Sequence, residues 1–205
     1  MQHDFILLDR SGSMVDRWSE AINSVNIYVE KLVTENVDTG VTLAVFDTPE
    51  NDIEFTVLRD RIVPKTWKKV DVAEARPRGW TPLNDAIGRI VTLANAGNYA
   101  KLALIIITDG HENRSKELSH LQAKKLLDDC RAKGWQVIFM GCDFDNAQQA
   151  ATFGNAIGQT VAVAAQNMDA AMASTASMRG LYGSGKVSNM SYSDEDKKRF
   201  ANKAG

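Results

Sequence analysis

The chain has 205 residues, 44% of them hydrophobic and 24% charged, an ordinary composition for a folded globular domain. A formal net charge of −2 gives no basic field for a nucleic-acid partner. No apolar run approaches the roughly 20 residues that a membrane span requires. The start, MQHDFILLD, has no basic segment and too short an apolar run for a secretory signal, so the expectation is a cytoplasmic protein.

Taken in chain order, Phe5 to Leu8 form a short apolar run, read as a buried strand. Trp18, Ala21, Ile22, Val25, Tyr28, Val29, Leu32 and Val33 then recur at helical spacing. VTLAVF (41–46) is a second buried strand. In DIEFTVL (52–58), Ile53, Phe55 and Val57 alternate with polar residues, as expected of an edge strand paired antiparallel to its neighbour. Residues 59–79 are rich in charge and proline and read as loop, with room for one short helix.

GWTPL (79–83) leads into a helix, because Pro82 suits a helix start and Leu83, Ala86, Ile87, Ile90, Val91 and Ala94 follow on one face. LALIII (102–107) is the most apolar run and predicts a central parallel strand covered on both faces. A helix over about 116–133 stops at Gly134, and WQVIFMG (135–141) is the next strand. A short helix (146–153), a weak strand near TVAV (160–163) and an Ala- and Met-rich helix over about 166–181 complete the series. Strands alternating with helices predict an α/β protein with a mostly parallel sheet wrapped on both sides. A single domain over 1–182 is expected, with 183–205 a Gly/Ser-rich and then charged tail, flexible or loosely docked.

Ligand crevices of open α/β sheets lie beyond the C-terminal strand ends. Two buried strands reach that edge in aspartate, at Asp9 in LLDRSGSM and at Asp109 in TDG. If the strands are neighbours, the carboxylates repel unless something positive lies between them. Ser11, Ser13 and Thr81 add neutral hydroxyl oxygens. An all-oxygen set suits Mg²⁺ or Mn²⁺ rather than zinc or copper. Hydroxyls leave the ion's charge largely unbalanced, so its open face would draw another anionic oxygen, such as an Asp or Glu carboxylate of a protein partner.

These residues carry a family resemblance. Asp9-Arg10-Ser11-Gly12-Ser13, then Thr81 in Gly-Trp-Thr-Pro-Leu, then Asp109 in Thr-Asp-Gly, resemble the von Willebrand factor A domain over about residues 1–182. The resemblance implies a Rossmann-like sheet in the order 3-2-1-4-5-6 with one antiparallel edge strand. It also implies a metal-ion-dependent adhesion site. There Ser11, Ser13 and Thr81 touch the metal, and Asp9 and Asp109 bind it directly or through water. Small stand-alone domains of this type occur in bacteria and their phages. The expected function is metal-dependent protein binding without catalysis.

Two rival readings are a metal-dependent hydrolase or phosphate-handling enzyme, and a self-assembling subunit whose metal only stiffens the fold. A resemblance to the haloacid-dehalogenase phosphatases, with Asp9 as nucleophile, would imply an acid/base aspartate where Ser11 stands. His111 is placed as a polar loop residue beside Asp109, with a general-base role as its alternative. GLYGSGKV (180–187) approaches a phosphate-binding loop, yet it follows a helix and has Val187 where a hydroxyl belongs, so it reads as a linker. Asp143 and Asp145 follow the fifth strand on the binding edge; Asp145 reads as a helix cap, with lining of the rim or a second cation as the pair's alternative, and Trp80 is either a partner contact or packed down. Cys130 and Cys142 read as free thiols, not a disulfide or zinc site.

Overall fold

The computed structural model describes residues 1–109, 112–141, 152–154 and 157–202. Its six strands are β1 (Gln2–Asp9), β2 (Gly40–Asp47), β3 (Glu54–Ile62), β4 (Lys101–Thr108), β5 (Gln136–Gly141) and β6 (Thr160–Ala162). They form one sheet in the order β3-β2-β1-β4-β5-β6. All neighbours are parallel except β2 and β3, which pair antiparallel. Among the described residues, the α-helices are α1 (Trp18–Thr34), α2 (Leu83–Asn95), α3 (His120–Ala132), α4 (Met168–Gly183) and α5 (Asp194–Ala201).

The strand side chains divide by parity, as a pleated strand buried on both faces requires. Phe5, Leu7, Leu104, Ile106 and Phe139 pack on one face with α2 and α3 residues such as Leu83, Ile87 and Leu127. Ile6, Leu8, Ile105, Ile107 and Met140 pack on the other with Ile22, Val25, Met168 and Met172 of α1 and α4. A one-residue slip in β1 or β4 would send every one of these side chains to the opposite core.

Edge strand β3 begins and ends later than its alternating pattern suggests. Its register against β2 shifts between Val41 and Ala44, and Arg61 takes a positive φ of 51°. The loop beyond it is held by two side chains. Arg59 donates to both Glu74 carboxylate oxygens and to the Lys68 and Lys69 carbonyls. Asn26, on α1, donates to the Val70 carbonyl and accepts from Val70 N–H and Trp67 Nε1. Helix α3 starts at His120, later than its sequence pattern, because Ser119 and Gln122 form a reciprocal cap. The buried Asp85 carboxylate captures the N–H groups of Lys116, Glu117 and Leu118 just before it.

The stretch after α4, expected to be flexible or loosely docked, packs on the domain through three side chains. Met190, Tyr192 and Phe200 are buried in the core beside α4. Gln136 Oε1 accepts Met190 N–H, Gly158 carbonyl accepts Tyr192 N–H, and Ala164 N–H donates to the Phe200 carbonyl. The charged DEDKKR run forms the first turns of α5, exposed or half-buried and capped reciprocally by Ser193 and Asp196. Apolar residues spaced singly through a polar stretch sufficed to dock it. GLYGSGK closes α4, where Gly185 N–H meets the Tyr182 carbonyl and Lys186 N–H the Leu181 carbonyl. Lys101 Nζ donates to the carbonyls of Tyr182 and Gly183. That is the carbonyl pole of a helix, the wrong end for phosphate.

Candidate functional site

At the C-terminal edge of the sheet, β1 and β4 run side by side, with Leu8 opposite Ile107. Asp9 is therefore beside Thr108, whose hydroxyl donates to Asp9 Oδ2 at 2.6 Å. The other oxygen, Oδ1, accepts the Ser11 backbone N–H at 2.8 Å, so the chain turns sharply around its own aspartate. Asp9 is fully buried. Burial pushes its carboxyl up to about 7, against the hydrogen bonds of Thr108 and Ser11, with Asp109 adding to the rise.

The turn brings the serines onto the end of β4. Ser11 Oγ and Ser13 Oγ lie 3.1 Å apart, and Ser13 Oγ donates to Asp109 Oδ1 at 2.7 Å. Arg17 Nη1 stands 3.2 Å from Asp109 Oδ2. Beyond Ser13 the chain is a 3-10 turn (Gly12–Arg17) leading straight into α1, pinned by the fully buried Met14 and by Trp18, whose indole N–H reaches the Val72 carbonyl.

The loop that carries Thr81 is held against the serine turn. Gly12 N–H donates to the Gly79 carbonyl, and Arg78 N–H to the Arg10 carbonyl, which staples the 78–81 loop to the serine turn. Trp80 and Thr48 exchange backbone hydrogen bonds across the same loop. Gly79 has φ +63°, and a Cβ there would stand 2.1 Å from the Thr48 carbonyl oxygen, so only glycine fits. Thr81 is buried, its N–H donating to Asn113 Oδ1 and its carbonyl accepting Asn113 N–H. Trp80 is 55% exposed on the rim.

Sequence reasoning missed several residues that build this edge. Arg10, inside D-x-S-x-S, is buried and pairs with Asp47 and Glu54, which Arg78 also holds. The network joins the ends of β1 and β2 beneath the loop carrying Thr81. Arg17, Thr108 and Asn113 were missed too; each is a polar residue next to a motif, a signal that spacing alone does not separate from surface. His111, Cys142, Asp143 and Asp145 lie outside the described residues.

Among the described residues, the donors gathered here are two carboxylates with hydroxyls around them, all hard oxygens. Among the described residues, no three His, Cys, Asp or Glu side chains form a metal-holding group. A cation here would lean on neutral oxygens as much as on charge.

The family model of the von Willebrand factor type A domain matches residues 5–177. The chain belongs to that family. Solved structures resemble this A domain across most of its length. A pilus adhesin, SpaC from Lactobacillus rhamnosus GG, in its open conformation, matches with a TM-score of 0.67 at 14% identity, covering 86% of this chain and 30% of that one. The vWF domain of the type V pili tip protein Mfa5 from Porphyromonas gingivalis matches at 0.65 and 12%, covering 86% and 94%. Manganese-loaded TRAP protein from Plasmodium vivax matches at 0.60 and 16%, covering 82% and 70%. The A domain thus spans less than a third of the adhesin's length, and identities this low carry the fold alone. No curated protein sequence matches the chain.

Proposed function

We propose that this A domain is a divalent-cation-dependent protein-binding module. Asp9, Ser11, Ser13, Thr81 and Asp109 would hold Mg²⁺ or Mn²⁺, and an Asp or Glu carboxylate of a protein partner would complete the ion's shell. The observation that carries the reading is the Ser11–Ser13–Asp109 oxygen chain, which unites a turn after β1 with the end of β4. Six oxygen positions around Mg²⁺ leave room for an outside ligand.

The donor set fits such an ion. The buried Asp9 carboxyl, pushed up to about 7, is a group that a cation would relieve by replacing its proton. The bound ion would supply a Lewis-acidic face for an anionic oxygen. The chain's own residues do the rest. Asp9 orders the serine turn through the Ser11 N–H, Thr108 fixes the Asp9 carboxylate, and the Gly79 staple keeps Thr81 against the turn. These roles hold and orient, and none moves a proton to or from a substrate, so the proposed mechanism is ligation.

The kinship with pilus adhesins supports a protein partner, and manganese-loaded TRAP, sharing the fold, supports the choice of metal. The test has two parts. Mn²⁺ binding is followed by electron paramagnetic resonance of the free ion for wild type and Ser11→Ala, and proteins retained from native lysate are compared in Mg²⁺, in EDTA and with Ser11→Ala. Saturable Mn²⁺ binding lost in the variant, with a partner retained only by wild type in Mg²⁺, is expected. The absence of Mn²⁺ binding, or identical retention in all three conditions, would overturn the proposal.

A further inference from the structure

Asp109 is held from two sides by residues four apart in the same turn. Ser13 donates to one carboxylate oxygen at 2.7 Å, and Arg17 Nη1 stands 3.2 Å from the other. The Asp109 side chain is 2% exposed and that of Arg17 19%, so solvent screens this pair weakly. The buried anchors Met14 and Trp18, also four apart, face the core and hold Ser13 and Arg17 toward Asp109. Arg17 is thus fixed at the carboxylate by the local fold, whereas a freely solvated arginine would visit it only part of the time.

We propose that Arg17 is a resident cation of the site that competes with a divalent ion for Asp109 and thereby sets metal affinity. The inference rests on the cation-binding reading above. A guanidinium and a metal ion draw on the same carboxylate charge. Arg17 offsets one of the carboxylates available to the metal, and it remains within Coulombic reach of any ion that meets Asp109. An incoming cation therefore either displaces the guanidinium or tolerates its positive charge nearby, and both lower its affinity. The same charge leaves a loaded site more positive, which favours an anionic ligand over a neutral one.

The test is Mn²⁺ titration, read by electron paramagnetic resonance of the free ion, on the full chain as wild type, Arg17→Gln and Arg17→Lys. Thermal melts in EDTA check that each variant is folded. Arg17→Gln removes the charge and is expected to bind Mn²⁺ roughly tenfold more tightly, a modest fraction of what Coulomb's law gives for charges this close. Arg17→Lys keeps the charge and is expected to gain less. Equal or weaker binding by Arg17→Gln, or a larger gain with lysine than with glutamine, overturns this inference while leaving the cation site standing. If neither wild type nor Arg17→Gln binds Mn²⁺, the inference falls together with the reading beneath it. A purely structural ion pair would lower the melting temperature of Arg17→Gln without changing its Mn²⁺ affinity, and that result also overturns it.

Discussion

Ser13 Oγ donates to Asp109 Oδ1 at 2.7 Å across 96 positions of sequence, and it does so from an exposed turn. A single hydrogen bond contributes only about 1–2 kcal/mol net, yet this one, from an exposed serine to a carboxylate whose side chain is 2% exposed, aligns oxygens from two strand ends. Ser13→Ala is therefore expected to leave the melting temperature within a few degrees of wild type. Mn²⁺ affinity should fall at least roughly tenfold, the scale seen when a group supporting a metal ligand is lost. Calorimetric titration beside a thermal melt separates the two. A large loss of stability with intact Mn²⁺ binding would make the serine a structural residue only.

The burial of Asp9 has a pH signature. Its carboxyl lies at about 7 in the fold against 3.8 as the ordinary value. Between these values the unfolded chain is ionised at this residue and the folded chain protonated, so folding takes up a proton. The contribution of Asp9 to stability is full below about pH 4 and is lost as pH rises through 7, a span on the order of a few kcal/mol. Asp9→Asn has no proton to lose. Urea unfolding in EDTA should show the stability of wild type relative to Asp9→Asn falling from pH 4.5 to 7 and levelling above. A constant difference across that range would contradict the assigned burial cost.

Gly79 offers a test of the loop that carries Thr81. Its positive φ and the Thr48 carbonyl at 2.1 Å from a built Cβ exclude any side chain. Gly79→Ala is expected to cost roughly 2–4 kcal/mol, combining backbone strain with displacement of the Thr48–Trp80 bridge. Gly134 is the control, because its φ is +87° but nothing lies within 4 Å of a Cβ there. Gly134→Ala should cost about 1 kcal/mol, from conformation alone. Equal losses would mean that the close approach at Thr48 is readily relieved.

Much of the fold was legible because buried parallel strands announce themselves. FILL, VTLAVF and LALIII contain residues that face both cores and admit no polar alternation, so their place at the sheet centre follows from composition. The two aspartates were legible as well, since a charge that ends an apolar run must lie at a strand end. What pairwise spacing hides is polar partnership between distant elements. Arg10 with Asp47, Asn26 with Val70, and Arg17 with Asp109 each satisfy a buried or half-buried group from elsewhere in the chain. The anchoring residues of the C-terminal stretch were hidden for a related reason. Met190, Tyr192 and Phe200 are spaced too irregularly to make a periodic signal, yet each fills a core position.

Phe200 measures how firmly that stretch is bound. It is fully buried and meets Tyr192 edge-on, with ring centroids 6.1 Å apart. Phe200→Ala is expected to cost about 3–5 kcal/mol in chemical denaturation. A loss below about 1 kcal/mol would show that α5 detaches at little cost and that the tail behaves as a loosely held segment.

The opposite edge of the sheet holds a buried charge pair whose removal should be severe. Arg179 of α4 is fully buried and donates through Nε to Asp4 of β1. Tyr28 of α1 donates to the second Asp4 oxygen at 2.9 Å, and Arg179 Nη1 donates to Gln2 Oε1 at 2.7 Å. Three elements thus meet on one carboxylate. Arg179→Met leaves Asp4 buried without its counter-charge and is expected to cost roughly 3–5 kcal/mol. Asp4→Leu combined with Arg179→Met removes both charges, and apolar replacements of buried ion pairs are often neutral or better. The double variant should therefore recover much of the stability lost in Arg179→Met. If it is no more stable than Arg179→Met, the penalty comes from the lost guanidinium contact with the Tyr182 ring and not from a stranded charge. Because the pair lies at the far end of β1 from Asp9, Mn²⁺ affinity should be unchanged in every variant of this set that remains folded.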